Sequence, residues 1–415
     1  MPDISPSANG ERVLADLNAL RTIGAYKSGV HKTTFSEPHL ASLQWLVDRL
    51  PEAGLAAAID GIGNVFGTSD KAGPRLLAGS HLESQNHAGW LDGPLGVVYA
   101  LEAARVINSD PSRRGTVEVA SWCDEEGHFG HFLGSRSYVG RVSEADIDAA
   151  RDRTTGRSMR EALRDTGFAG RPRVNAEPGR HIGYVEAHIE QGDTLESSGL
   201  SIGVVTSIVG IWQYRISFAG EQNHAGTTRM AARKDAGLAL ARFCVAIDER
   251  FPALSGPRTV WTTGRITLEP GAPSIIPGGA EMLFQIRDDD PQVIARLENL
   301  LRAMADEATM RGPCRVTLDR LRTGAPAMMD ARFQDTIEAA SKVCAGGRSV
   351  RMPSGAGHDA QFLATIMPAG MLFVPSIGGI SHHWTENTAD ADIVVGAQVF
   401  VEACLRLLAQ YRGCI

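Results

Sequence analysis

Apolar segments typical of buried strands alternate with segments of helical periodicity, and clusters of polar residues follow the strands. The periodicity of SEPHLASLQWLVDRL (36–50) predicts a helix with Ser36 as its N-cap. RLLAGSH (75–81) and TVEVASW (116–122) predict strands, and GPLGVVYALEAARVI (93–107) between them predicts a helix. In an open α/β sheet, ligands bind outside the carboxyl ends of the strands, where side chains converge. We therefore expect the clusters SHLES, CDEEGHFG and VEAHIEQG to lie on one rim of a three-layer α/β/α domain.

A second pattern begins at residue 210 and interrupts the first. IWQYRISFAG and AEMLFQIRD predict strands, whereas RKDAGLALARFCVAIDERF and PQVIARLENLLRAMADEATM predict amphipathic helices. The first pattern resumes with a predicted helix at DARFQDTIEAASKVC. A chain of 415 residues is long enough for two domains. We predict a discontinuous domain of residues 1–209 and 327–415 and an inserted α+β domain of residues 210–326.

Charge and hydropathy exclude several classes of partner. The net charge is −7 with both signs interspersed, so the chain lacks the single-sign field that nucleic acid or anionic lipid requires. No apolar run approaches membrane-spanning length, and the N-terminal residues have neither a basic nor an apolar signal region. The six cysteines form no CxxC pair, which favours free thiols. We expect a cytoplasmic protein without nucleic-acid or membrane partners.

Five residues from separate segments offer ligands for metal ions. They are His81, Asp92, Glu126, His188 and His382, and each neighbours glycine or another small residue. A single histidine of this kind is more often structural. Imidazoles and carboxylates together, however, suit two divalent ions that share one carboxylate. The sequence predicts a dinuclear metal site on the rim.

The adjacent glutamates of WCDEEGHFG divide into two predicted roles. Neighbouring side chains of a strand or loop project in different directions, so Glu126 can bind metal while Glu125 faces the attacking water. A carboxylate beside a metal ion is well placed as general base, because the metal acidifies the water whose proton the carboxylate accepts. The simpler interpretation is an exposed acidic pair. We favour Glu125 as the base of a hydrolase.

Seven motifs together resemble one known family. They are GSHLES, DGPLGV, DEEGHFG, EAHIEQG, NHAGTTRM, SGAGHDA and GISHHWTE. In this order they resemble the amidohydrolases of the M20 metallopeptidase superfamily, specifically the hydantoinase/carbamoylase group, over residues 60–400. The resemblance implies hydrolysis of a linear amide or ureido C–N bond in a small substrate that carries a carboxylate. N-carbamoyl-L-amino acids, β-ureidopropionate, allantoate and ureidoglycolate are substrates of that kind.

The resemblance also assigns roles to the five candidate ligands and to the inserted domain. It implies that His81, Asp92 and His188 hold one ion and that Asp92 bridges to a second ion on Glu126 and His382. The two ions are zinc or manganese. The inserted domain corresponds to a lid and dimerisation domain, which implies a homodimer.

Further residues match the family's catalytic and substrate-binding positions. The resemblance implies that His224, from the partner subunit, stabilises the developing oxyanion, a role that needs a hydrogen-bond donor. Arg287 corresponds to the arginine that grips the substrate carboxylate in a bidentate contact. Gln191 and His358 correspond to further substrate-binding residues. Ser274 replaces the usual asparagine of that pocket.

Two positions depart from the family pattern, and one of them motivates an alternative function. Ser274 lacks an amide donor, and this change motivates an N-acyl-amino-acid deacylase or exopeptidase as the second hypothesis. Glu83 replaces the usual aspartate two residues after the first histidine, and we expect it to orient His81. A third hypothesis is a non-catalytic metal-binding or ligand-binding protein. The paired glutamates argue against it, because a structural site has no use for a positioned base.

Overall fold

The computed structural model describes residues 7–110 and 115–411. Two compact units are formed, one from the described parts of Met1–Thr206 and Met328–Ile415 and the other from Ser207–Ala327. The helices are α1 (Gly10–Thr22), α2 (Glu37–Arg49), α3 (Pro94–Asn108), α4 (Leu133–Tyr138), α5 (Glu144–Ala149), α6 (Met159–Asp165), α7 (Thr194–Ser197), α8 (Ala236–Arg250), α9 (Pro291–Arg311), α10 (Ala331–Cys344), α11 (Ala360–Leu363) and α12 (Asp390–Gln410).

The strands are short and mostly five to ten residues long in the two main sheets. They are β1 (Ala25–Tyr26), β2 (Gly29–Val30), β3 (Ala56–Ile59), β4 (Val65–Thr68), β5 (Arg75–His81), β6 (Thr116–Trp122), β7 (Gly183–Ile189), β8 (Ile202–Ile208), β9 (Gly210–Ala219), β10 (Asn223–His224), β11 (Val260–Glu269), β12 (Ile275–Ile276), β13 (Gly279–Asp288), β14 (Arg315–Thr323), β15 (Ala327–Met328), β16 (Ser349–Ser354) and β17 (Ala369–Val374).

The larger unit is built on a nine-stranded mixed sheet. Its order is β15-β8-β17-β7-β5-β6-β4-β3, and β16 also pairs with β8. The central strands β17, β7, β5 and β6 are parallel, whereas β4 and β8 pair with them in the antiparallel sense. His81 at the end of β5 lies opposite Trp122 at the end of β6. The polar clusters that follow β5, β6 and β7 therefore lie together at the carboxyl ends of the parallel strands.

Helices cover both faces of this sheet. Alternate residues of β7 point to opposite faces: Ala187 meets α3 at Gly96, while the Glu186 carboxylate accepts the N–H of Ala360 at the start of α11. The predicted helices form as expected; the Ser36 hydroxyl, for example, caps α2 by accepting the N–H of His39. The result is the predicted three-layer arrangement.

The smaller unit is an antiparallel sheet with two helices on one face. The strand order is β11-β13-β9-β14. Along β13, buried residues such as Met282 and Phe284 alternate with half-buried ones such as Gln285 and Arg287. The buried side packs against α8 and α9 in a core of its own. Strands β10 and β12 form a separate two-stranded pair.

Two further observations concern the predictions about membrane-spanning segments and cysteines. No helix within the described residues is long and apolar enough to cross a membrane. Five cysteines are free thiols, and the sixth, Cys414, lies outside the described residues; the five are Cys123, Cys244, Cys314, Cys344 and Cys404.

Candidate metal centre and active site

The candidate metal centre is assembled by the parallel core of the larger unit. His81 is the last residue of β5, His188 lies near the end of β7, and Asp92 lies two residues before α3. Gly93 permits this close approach, since it has a φ of +86° and a Cβ there would lie 2.5 Å from the His81 ring. His81, Asp92 and His188 are at most 2 % exposed.

Three imidazoles face the two oxygens of one carboxylate. His81 Nε2 and His188 Nε2 lie 3.5 Å and 3.1 Å from Asp92 Oδ1, and His382 Nε2 lies 3.2 Å from Asp92 Oδ2. Glu126 Oε2 is 3.7 Å from the same nitrogen of His382. These contacts form two groups that could each hold a metal ion, His81–Asp92–His188 and Asp92–Glu126–His382. Within each group, the ligand atoms lie within 4.8 Å of one another.

The hydrogen bonds of the ring nitrogens show that these residues fit metal ions. His81 Nδ1 lies 3.1 Å from the Glu83 carbonyl, and His188 Nδ1 lies 3.0 Å from the Ile189 carbonyl. A carbonyl only accepts, so each Nδ1 carries a ring proton; each Nε2 either donates a second proton to Asp92 or, once that proton is lost, presents a lone pair to a metal ion. Two lone pairs directed at a carboxylate repel it unless a cation lies between them. The mixture of nitrogen and oxygen ligands suits zinc or manganese.

The same arrangement controls the ionisation of the carboxylates. Burial opposes the charge of Asp92, yet hydrogen bonds from the three imidazoles hold its pKa well below the usual range. Burial raises the pKa of Glu125 well above its usual range, and the neighbouring Glu126 adds to the shift. Glu125 Oε2 lies 3.7 Å from His81 Nε2. Glu125 therefore sits beside the candidate ligands with its carboxylate directed at them.

Glu83 orients His81 through its backbone rather than its side chain. Its carboxylate stays 4.0 Å from His81 Nδ1, whose partner is instead the Glu83 backbone carbonyl. The Glu83 carboxylate accepts the N–H of Glu125 at 2.5 Å and lies 3.6 Å from His39 Nε2. Glu83 therefore orients His81 as expected, but through its backbone carbonyl, because the longer side chain reaches past the ring to the next loop. Glu83 fixes the backbone of the glutamate pair.

Two residues that the motifs did not single out also support the site. The Gln85 side chain donates to Glu126 Oε2 at 2.7 Å, and the Gln85 N–H donates to Glu126 Oε1 at 3.0 Å. The carboxylate of Glu386 accepts the N–H groups of Leu91 and Asp92. The only signal in the sequence was position: Gln85 directly follows GSHLES, and Glu386 is the last residue of GISHHWTE.

Gln191 and His358, expected to bind substrate, lie among the candidate ligands. Gln191 Nε2 donates to Asp92 Oδ2 at 2.9 Å, and the backbone of Gln191 is held in a left-handed conformation with a φ of 58°. The His358 ring packs edge-on against His188 with centroids 4.6 Å apart and is 2 % exposed. Burial lowers the pKa of His358 well below its usual range. His358 is therefore a neutral ring beside a candidate ligand.

His224, Ser274 and Arg287 belong to the smaller unit. The N–H groups of Gly226 and Thr227 donate to His224 Nδ1 at 3.0 Å and 3.2 Å, so the neutral ring carries its proton on Nε2. Ser274 lies on the chain opposite, where its carbonyl accepts the N–H of Ala225. Both His224 and Ser274 are exposed.

Arg287 lies near the end of β13 on the sheet face opposite the helices. Its guanidinium lies 3.5 Å from the side-chain oxygen of Gln285. Burial, and then the charge of Arg322, lower the pKa of Arg287 from its usual value. A second positive charge near a half-buried arginine favours the binding of an anion at this face.

Comparison with known proteins agrees with this site. Residues 74–406 match the profile of peptidase family M20/M25/M40. The chain belongs to this family. It is 33 % identical to an N-carbamoyl-L-amino acid amidohydrolase of Geobacillus stearothermophilus over 96 % of this chain and 98 % of the relative. It is also 33 % identical to an allantoate amidohydrolase of Bacillus subtilis over 91 % of this chain and 93 % of the relative.

A solved structure within the family shares the whole fold. The hydantoinase/carbamoylase family amidase from Burkholderia phymatum is 44 % identical, has a TM-score of 0.88 and covers 97 % of this chain and 98 % of its own. The family resemblance, the α/β fold class with an inserted domain and the metal-dependent amidohydrolase expected from the motifs are thereby confirmed.

Proposed function

We propose that this M20 enzyme hydrolyses the linear C–N bond of a small N-carbamoyl-amino-acid-like substrate bearing a carboxylate. The observation that carries the proposal is the shared carboxylate of Asp92, faced by three imidazoles, with Glu125 beside it. His81, Asp92 and His188 would hold one ion, and Asp92, Glu126 and His382 a second. When bound, two zinc or manganese ions polarise the substrate carbonyl and acidify the attacking water.

Glu125 is the proposed general base and acid. Its carboxylate takes a proton from the attacking water and returns it to the leaving nitrogen. Glu83 supports this role, because it anchors the Glu125 N–H at 2.5 Å and so limits the positions open to the side chain. A buried carboxylate with a raised pKa is also suited to carrying the proton between the two steps.

The smaller unit supplies the remaining proposed contacts. His224 presents an Nε2–H donor, which suits the stabilisation of an oxyanion. Arg287 would bind the substrate carboxylate through its guanidinium. Ser274, Gln191 and His358 are proposed to line the substrate pocket. His224→Ala should therefore lower kcat, and Arg287→Lys should mainly raise KM, because a lysine cannot form the bidentate contact.

We also propose that the enzyme is a homodimer formed through the smaller unit. Strand β11 is an edge strand, and its apolar residues Val260, Ile266 and Leu268 are 53 %, 51 % and 42 % exposed. An exposed apolar edge is a template for pairing with another strand. The neighbouring α8 adds the exposed Leu238 and Val245. Sedimentation velocity of the wild type and of Ile266→Lys measures this association.

The test of the proposed function is hydrolysis of a panel by metal-stripped enzyme resupplied with manganese or zinc. The panel contains N-carbamoyl, N-acetyl and N-formyl amino acids, allantoate and ureidoglycolate, and Glu125→Gln is the control. We expect metal-dependent release of ammonia from a ureido compound, lost in the variant. Turnover of acyl compounds alone would instead establish the deacylase that Ser274 suggests. Two bound ions without any turnover would support the non-catalytic alternative.

A further inference from the structure

Glu386 is a buried carboxylate whose contacts all lead to the two loops that carry candidate ligands. It is 1 % exposed. Glu386 Oε1 accepts the N–H groups of Leu91 and Asp92 at 3.3 Å and 3.2 Å. Its other oxygen, Oε2, accepts the Ser381 hydroxyl at 2.9 Å. One carboxylate thus joins the loop before α3 to the loop of His382.

The Glu386 carboxylate packs closely against the loop that precedes α3. A Cβ at Gly89 would lie 1.8 Å from Glu386 Oε1 and 2.0 Å from its carboxyl carbon. The carboxylate therefore rests directly on the backbone at Gly89. The Glu386 N–H also donates to the His383 carbonyl at 2.9 Å, which closes a turn just after His382. The Glu386 carboxylate is thus held by the backbone near Gly89, and the Glu386 backbone is held by the turn at His383.

The chemistry of the contact points to the site rather than to stability. Within residues 7–110 and 115–411, no arginine or lysine side chain forms an ion pair with Glu386. A buried carboxylate without a cationic partner is unfavourable, and Asp92 nearby adds repulsion. The Ser381 hydroxyl lies 3.3 Å from Asp92 Oδ2 and 2.9 Å from Glu386 Oε2, so it lies between the two carboxylates. Cations on Asp92 would offset this cost.

We infer that Glu386 is a positioning residue that ties the Asp92 loop to the His382 loop and so sets the spacing of the ligands on which the second ion depends. Its hydrogen bonds fix the backbone of Asp92, while Ser381 and the turn at His383 fix the segment of His382. His382 needs this support, because its side chain is 51 % exposed. The inference rests on the proposed function only in that metal ions bind here.

The experiment measures metal affinity by competition with a chelating dye and records the visible spectrum of the cobalt(II)-loaded protein. The variants are Glu386→Ala, Glu386→Asp and Glu386→Gln. We expect Ala and Asp to weaken binding of one ion about tenfold or more and to change the cobalt spectrum, since the first lacks the carboxylate and the second is too short. Gln keeps the length, its amide oxygen still accepts the N–H groups of Leu91 and Asp92, and its amide N–H donates to Ser381 Oγ, whose proton is then directed to Asp92. It should therefore restore affinity and spectrum to near the wild-type values.

Two further variants separate positioning from folding. Gly89→Ala displaces the carboxylate without altering it and should reproduce the loss, which keeps the inference testable if Glu386→Ala does not fold. Glu102→Ala removes an equally buried carboxylate on α3 that accepts the Asn9 N–H at 2.7 Å and pairs with Arg12 at 2.7 Å, and it should lower stability without changing metal affinity. These two changes therefore serve as a replicate and a matched control.

The outcomes distinguish the inference from the proposed function. Wild-type affinity in a folded Glu386→Ala protein, or a Gln variant as impaired as the Ala variant, would overturn the positioning role. Failure of the wild type to bind metal at all would refute the proposed function itself. Metal binding without hydrolysis would count against that function and leave the role of Glu386 measurable.

Discussion

Lys32 offers a quantitative test of the electrostatics in the larger unit. Its side chain is 1 % exposed, and Nζ donates to the Leu20 carbonyl at 2.6 Å. No carboxylate forms an ion pair with it in the described part of the chain. Burial lowers the pKa of Lys32 from 10.5 to about 7. The folded protein therefore holds this proton less tightly than the unfolded chain does.

The sign of the pH effect follows from proton uptake. Between pH 7 and pH 10.5 the unfolded chain binds more protons at this residue, so the free energy of unfolding rises with pH. At about 1.4 kcal/mol per pH unit, the full cost of the buried charge is about 5 kcal/mol below pH 7. About 2 kcal/mol of that cost disappears between pH 7 and pH 9.

Lys32→Met should remove this cost. The Leu20 carbonyl still accepts the Ile23 N–H at 3.1 Å, so the substitution leaves no acceptor unpaired. After subtraction of the lost charged hydrogen bond, we expect a gain of about 2 kcal/mol or more at pH 7, and a gain smaller by about 2 kcal/mol at pH 9.

Urea unfolding followed by circular dichroism at both pH values gives the difference between variant and wild type. Other groups titrate in both proteins, so their contributions cancel. Lys342→Met, at an exposed position of α10, is the control and should leave the pH dependence unchanged. Parallel pH curves for Lys32→Met and the wild type would refute the reasoning.

Three further predictions address the site. Glu125→Gln should lower kcat by about 10²- to 10⁴-fold, because it removes the base, while equilibrium dialysis still finds the metal content of the wild type. Unchanged kcat would remove Glu125 from the mechanism. Gln85→Ala should weaken metal binding about 10- to 100-fold in a chelator titration, since Glu126 loses two hydrogen bonds from the Gln85 side chain. Gln44→Ala, on the exposed side of α2, is the matched control. Removal of metal should abolish turnover and lower Tm, because an ion that binds the folded protein and not the unfolded chain stabilises the fold. Activity and Tm should both return with manganese or zinc, and an unchanged Tm would contradict the assigned ligands.

The sequence predicted the elements that depend on local patterns. The helix after Ser36 follows from a capping side chain and an apolar stripe, and α2 begins where that pattern places it. Strands β5 and β6 follow from short apolar runs. The mixed edges of the large sheet were not predicted, because the direction of a strand depends on neighbours that are distant in the sequence.

The identities of the candidate ligands could also be read from the sequence, because they depend on residue type and motif order. The contacts between particular atoms could not be read from the sequence. Glu83 lies two residues after His81 in the chain, yet its carboxylate reaches the N–H of Glu125, and Glu386 contacts Asp92 from 294 positions away. These contacts depend on the parallel strands that bring distant loops to one edge.

The chain by itself determined where helices and strands form, which side chains are available for metal binding and which family the motifs resemble. Only the tertiary structure decided that three imidazoles share Asp92 and that Glu386 joins two ligand loops. The physical reason is the distance along the chain over which each interaction acts. Capping and hydrophobic periodicity act within a few residues, whereas the spacing of ligands is set by backbone hydrogen bonds and packing between segments that the sheet places side by side.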